Sequence, residues 1–297
     1  MHLRVTAPIA AWTFTIGVAL VIASCGSAAP SPVVTSQPTP GEGSAWLRLT
    51  ITQAIPPIDQ FAIGPAAVIT GDGVYVTAGP IPAIFPGPVM PNLVGRRISD
   101  TGRARIIDEA RRLGLLAGQT DFTGGAAVPG AMMARIELSV GGAPVVLTGD
   151  PNAQVQCITT PCDAPPGTPA AFAALWSTLA FPDAWLGRDL GPEGPFVAGA
   201  YALLIGAAPV PQAGLGARLM DWPLDVPLAT FGVPVASGTA RCGIASGADA
   251  DVIRPSLERA DQLTQWVQDP TTSATFGITI RPIIAGEDPC AEAFGGG

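Results

Sequence analysis

No segment of this chain runs far before it meets proline or glycine. The 297 residues include 32 prolines and 36 glycines. Each proline fixes φ and removes a backbone donor, and each glycine loosens the backbone. Long helices are disfavoured, and frequent turns and proline-bearing edge strands are expected. Hydrophobic residues reach 48% against 13% charged, enough apolar surface to build a core despite the interruptions.

The pattern between the interruptions is local and legible. Residues 46–52 alternate as a strand does. Two β-branched runs flank Gly71-Asp72-Gly73, predicting a hairpin over residues 67–77. A second hairpin is expected around Gly141-Gly142, with strands at 132–140 and 143–148. Residues 80–91 carry five prolines and read as an irregular or edge segment. Further strands are expected at 196–205, 241–245 and 274–284, with 230–235 as a candidate.

Ser99 or Asp100 caps a helix reaching about Leu116, with Ile106, Ile107, Ala110 and Leu113 inward. Arg103, Arg105, Asp108, Glu109, Arg111 and Arg112 lie mostly outward. Thr168 caps a second helix, on which Phe172, Leu175, Trp176 and Leu179 form one apolar stripe. Asp249 or Asp251 opens a third, with Pro255 in its first turn and Leu257, Ala260, Leu263 and Val267 inward. The fold class expected is α+β, antiparallel β-hairpins packed with about three amphipathic helices. The body spans residues 45–297; a candidate boundary near 181–195 would divide it into 45–180 and 195–292.

Apart from Cys25, the cysteines are Cys157, Cys162, Cys242 and Cys290. Four cysteines allow three pairings. Cys157–Cys162, closing the loop Cys-Ile-Thr-Thr-Pro-Cys, and Cys242–Cys290, tying the chain end back, are the expected disulfides. Neither a Cys-x-x-Cys spacing nor a nearby histidine supports a metal or redox site, and no metal or cofactor is expected.

The N-terminus carries an address. Met1-His2-Leu3-Arg4 is followed by an uncharged stretch to Ser24, including the apolar run 16–22, and then Ala23-Ser24-Cys25. This is a charged n-region, an apolar h-region and small residues before a cysteine. Ile22-Ala23-Ser24-Cys25 resembles the lipobox of bacterial lipoproteins. The resemblance implies a signal peptide over residues 1–24, diacylglyceryl transfer to the Cys25 sulfur, and attachment to the extracytoplasmic face of a cell membrane. Each buried acyl CH₂ contributes roughly 0.8 kcal/mol, so two or more chains anchor stably. An uncleaved anchor helix, or secretion with cleavage elsewhere, would put residues 26–297 on the same side. Residues 25–44, rich in Pro, Ser, Thr and Gly, read as a flexible tether.

Composition removes mechanisms. The chain has no lysine, and its single histidine is His2. Beyond the leader there is no side chain for a Ser-His-Asp or Cys-His site, a Ser–Lys dyad, a P-loop or an HExxH zinc site. The net charge of −8 disfavours nucleic acid as a partner. Asp100-Thr101-Gly102 has the letters of an aspartic-protease motif, but it opens a helix and occurs once, so capping accounts for it. Asp249-Ala250-Asp251 reads as acids at a helix start rather than a Ca²⁺ loop. Asp108-Glu109 and Glu287-Asp288 are acid pairs of surface type. Trp222 and Trp266 are the two tryptophans left as candidates for stacking on a ligand.

Residues 45–180 also resemble emfourin, a bacterial metalloprotease inhibitor. The likeness lies in the succession strand, hairpin, helix ending Ala-Arg-Arg-Leu-Gly-Leu-Leu, Gly-Gly hairpin and Pro-led helix. It implies an extracytoplasmic protease inhibitor; the Cys-Ile-Thr-Thr-Pro-Cys insertion departs from the pattern, and no inhibitory residue carries over. The leading expectation is a non-catalytic, lipid-anchored binding or envelope-structural lipoprotein. Its expected partners are the membrane, an envelope protein or a small-molecule ligand. Protease inhibition is one alternative and a carboxylate-based hydrolase another.

Overall fold

Residues 34–35, 43–53, 55–124, 132–153, 163–211, 214–235, 238–268 and 274–295 are described by the structure, a computed structural model. Cys25, the leader and the Cys157–Cys162 pair lie outside these residues. The first sheet opens with β1 (Val34–Thr35) and β2 (Leu47–Thr52), followed by α1 (Pro57–Ala62), β3 (Ala67–Ile69), β4 (Val74–Ala78) and β5 (Leu93–Arg97). Then come α2 (Asp100–Arg112), β6 (Asp121–Phe122), β7 (Met133–Val140), β8 (Ala143–Gly149), α3 (Pro169–Ala180) and α4 (Asp183–Leu186). With β9 (Gly194–Val197) these strands form one sheet in the order β1-β9-β5-β4-β3-β2-β7-β8-β6. Its pairs are antiparallel except at the two ends, where β1 and β6 join in parallel.

The second sheet uses β10 (Ala200–Ala207), β11 (Arg218–Asp221), β12 (Val233–Pro234) and β13 (Arg241–Ser246). After α5 (Ala248–Arg259) it adds β14 (Thr264–Val267) and β15 (Thr275–Ile283), and α6 (Pro289–Phe294) follows. The strand order is β11-β14-β15-β10-β13-β12. Helices with two mixed sheets make the fold α+β.

Side-chain period explains the layering. On β2, Leu47 and Leu49 enter a core shared with Ile106 of α2, with Leu113 just past its end, and with Phe172 and Leu175 of α3. Burying each such side chain contributes about 1.5–3 kcal/mol. Val68, Val74 and Val76 belong to a second core, with Phe196, Tyr201 and Leu203 and with Ile253 and Leu257 of α5. A third cluster, Phe61, Ala202, Leu204 and Ile283 with Phe294, is covered by α1 and α6. Cys242 of β13 and Cys290 of α6 are joined there by a disulfide, with Cα atoms 5.7 Å apart.

Both expected hairpins form. Gly73 and the pair Gly141-Gly142 take positive φ, which a β-carbon would resist. Several expectations are corrected. Residues 196–205 are not one strand; the chain breaks after Val197 and changes sheets at Ala200. The third helix stops at Arg259, and residues 264–267 are β14 rather than helix. Asp261 is the reason: its Oδ1 accepts from the Leu263 amide at 2.9 Å, a turn that competes with helix. Pro255 lies inside α5, not in its first turn, because the helix starts earlier, at Ala248 after Gly247. On α3, Ala171, Ala173, Ala174 and Thr178 are buried along with the expected stripe, as befits a helix without a charge. Glu109, expected outward, is buried and bonded to Arg112 at 2.7 Å.

Candidate functional site

The alternation that buries Leu47 and Leu49 turns Arg48, Thr50 and Thr52 to the opposite face. Register does the rest. On the neighbouring β7, Glu137 lies directly opposite Arg48, and Arg135 opposite Thr50. These residues line one side of a cleft of about 590 Å³. Gln60 and Ile63, at the end of α1, form another wall; Arg281 of β15 and Glu292 of α6 close it.

The charges in and behind this cleft alternate. Arg135 Nε stands 2.8 Å from Glu137 Oε1. Glu137 Oε2 is 3.7 Å from Arg48 Nη1, and the same nitrogen is 3.7 Å from Glu292 Oε1. Glu292 Oε2 then accepts from Arg281 Nη2 at 2.9 Å, and that nitrogen also donates to Glu287 Oε2 at 2.5 Å. Arg48 is mostly buried (14% exposed), Arg281 more so (7%), and Glu287 completely (0%). Arg135 and Glu292, at 48% and 43%, open to solvent.

Two donors are left over. Arg48 Nη2 donates to the Ala285 carbonyl at 2.5 Å, but the Nε atoms of Arg48 and Arg281 are buried with no hydrogen-bond partner among the described residues. Buried polar atoms are nearly always satisfied, so each such atom calls for a further acceptor, an ordered water or a bound molecule. Two other cavities are poorer in charge. One of about 510 Å³ is lined by Leu204, Trp266 and Ile278, with Asp261 the ionisable residue among its described lining. One of about 320 Å³ is mainly apolar, between Thr77, Leu93 and Ile280, and also borders Arg281.

The residues singled out from the sequence fall elsewhere. Ser99, not Asp100, caps α2: its hydroxyl accepts from the Gly102 amide at 3.0 Å. Asp100 is exposed and pairs with Arg103. Asp249 and Asp251 sit in the first turn of α5, where Asp251 pairs with Arg254 at 2.6 Å. Asp108 is a surface partner of Arg111. Trp222 and Trp266 are buried edge-to-face against each other and are core, not a stacking platform. Glu287 is likewise not on the surface; it is sealed behind the cleft. Among the described residues, no group of three or more His, Cys, Asp or Glu is arranged to hold a metal ion. No helix among them is long and apolar enough to cross a membrane.

Perturbed ionisation marks structural pins. Burial, reinforced by Asp183, pushes the Tyr75 phenol far up, and its hydroxyl donates to the Leu179 carbonyl at 2.8 Å. Burial also raises Tyr201, against a hydrogen bond from Arg254. Hydrogen bonds from Arg105 and then Ser99 hold Asp189 below the usual aspartate range.

Arg48, Arg135, Glu137, Arg281 and Glu292 carry no motif. In Leu-Arg-Leu and Ala-Arg-Ile-Glu-Leu they are the polar members of alternating strands, which ordinarily face water. The available signal was the spacing of Arg135 and Glu137 on one strand face. Compared with protein-family models, curated proteins and solved structures, the chain has no match.

Proposed function

We propose that this protein is a lipid-anchored, extracytoplasmic binding lipoprotein, and that the Arg48–Glu137–Glu292 cleft is where it holds a small polar ligand. The observation that carries the reading is the pair of buried, unpartnered Nε donors beside a cleft of ligand size. The anchoring part rests on the lipobox-like run ending at Cys25, with a Cys157–Cys162 disulfide and amphipathic packing of α2, α3 and α5 as further parts of the proposal. Glu137 and Glu292 outline a two-carboxylate site, the requirement of the hydrolase reading. Each is engaged by two guanidiniums, an arrangement better suited to recognising charge than to passing a proton.

Two measurements test this. Ligand-observed NMR of the purified protein against fragments of positive, negative and neutral charge should find binders that a cleft-filling Thr50→Trp variant loses. Binding that survives this substitution, or no binding at all, would remove the cleft. Mass spectrometry of protein taken from the membrane fraction should show Cys25 as an acylated N-terminus; an intact Met1 would remove the anchor.

A further inference from the structure

We infer that the ligand recognised here carries an oxyanion, a carboxylate or phosphate group, and that it binds by displacing Glu292 from between Arg48 and Arg281. The inference rests on the reading of the cleft as a binding site and specifies what enters it.

The donors outnumber the acceptors. A guanidinium has five N–H donors and no acceptor. Arg48 spends Nη2 on the Ala285 carbonyl; its Nη1 lies 3.7 Å from two carboxylates, outside hydrogen-bond reach of either. Among the described residues its Nε has no partner, and neither does that of Arg281. A planar or tetrahedral oxyanion supplies the acceptors that are missing, and arginine forks are matched to that shape.

Glu292 already imitates such a ligand. One of its oxygens faces Arg48 and the other bonds Arg281. It is also the member of the cluster that can leave. Glu292 is half-exposed, on a six-residue helix. Glu287, by contrast, is sealed in and also accepts from the Ile284 amide at 3.0 Å. Once Glu292 swings out, three arginines face two carboxylates, and the cleft favours an anion. Arg135, at the solvent edge, is placed to meet it first. Thr50 and Thr52 offer hydroxyls, and Ile55 and Ile63 an apolar wall for the rest of the molecule.

The test follows the arginine Nε–H resonances of the purified, nitrogen-15-labelled protein as succinate, and separately inorganic phosphate, is titrated to millimolar concentration. Movement of the Arg48 and Arg281 signals by either anion supports the inference, and the anion that acts names the source. Glu292→Gln removes the competing charge and should tighten that anion roughly tenfold, while Arg135→Gln should weaken it. Weaker anion binding by Glu292→Gln would overturn displacement. If neither anion moves these signals while neutral or cationic fragments bind, the oxyanion is wrong and the binding reading survives. If no fragment of any charge binds, both fall. The wild-type titration decides the matter even where a variant does not fold.

Discussion

Arg281 and Glu287 form an ion pair 2.5 Å long in the wall of the cleft, and both side chains are closed to solvent. They lie only six positions apart in the sequence. The chain leaves β15, turns through Gly286 at a φ of 56°, and folds the carboxylate back onto the strand it has just left. Glu287 Oε1 takes the Ile284 amide, so the turn and the pair hold each other in place.

A buried pair of this kind is costly to break on one side only. Arg281→Met should destabilise by about 3–5 kcal/mol, because it leaves the Glu287 carboxylate buried without a counter-charge, and Glu287→Leu by less, because Arg281 keeps Glu292. The double variant should recover much of that loss. Denaturant unfolding of all four proteins gives the coupling; strictly additive single effects would show that the two charges do not depend on each other.

The Cys242–Cys290 bond spans 48 residues of sequence. Closing a loop of that size restricts the unfolded chain by about 4 kcal/mol in the chain-entropy description. Reduction, or replacement of both cysteines by alanine, should lower stability by that order and free α6. Phe294, stacked on Phe61, should retain part of the contact. Glu292 travels with α6, so hydrogen exchange should rise at residues 289–294 and the Arg281 Nε–H signal should shift. An unchanged Arg281 signal in the reduced protein would uncouple the disulfide from the cleft.

Gly149 ends β8 against the ring of Phe172, which also stacks on Phe122. A β-carbon at residue 149 would stand 2.5 Å from that ring, closer than packed atoms tolerate. Gly149→Ala should cost about 1–3 kcal/mol and Phe172→Ala about 3–5 kcal/mol. Combining them should cost less than the sum, since the smaller side chain on α3 makes room. Thermal or denaturant melts of the three variants check this, and full additivity would contradict it.

Asp189 links Ser99, the cap of α2, to Arg105, six residues further on, at 3.0 and 2.7 Å. Those bonds favour the carboxylate, so its folded-state value is depressed. Between that value and the ordinary one the unfolded chain binds more protons, and stability rises with pH. The contribution is complete above about pH 5 and is lost as pH falls through the lowered value. Asp189→Asn should therefore be less stable than the parent near pH 7 (measured as Tm), with a deficit that shrinks by about pH 3. A deficit independent of pH would show that the charge is irrelevant.

Legibility from sequence followed the range of the interactions. The hairpins around Gly71–Gly73 and Gly141-Gly142, the caps at Ser99 and Thr168 and the strand at residues 47–52 depend on neighbours within a few positions, and they read correctly. The third helix was overextended because an apolar spacing of three and four continues past Arg259, while the Asp261 turn that ends it is a single side-chain hydrogen bond. Trp222 and Trp266 resembled candidates for a ligand platform because burial cannot be seen from composition; the second sheet folds over both.

The order of residues was sufficient to decide the α+β class, both hairpins and the absence of imidazole or lysine side chains beyond His2. It could not decide the cleft. Arg48 reads as a solvent-facing strand residue, and its partner carbonyl, on Ala285, lies 237 positions away. Register within the first sheet sets Arg48 and Arg135 beside Glu137, and only the meeting of the two sheets adds Arg281 and Glu292. Arg48 and Arg281, taken largely out of water there, must be satisfied by those carboxylates or by a bound molecule, a requirement that exists only once the chain is folded.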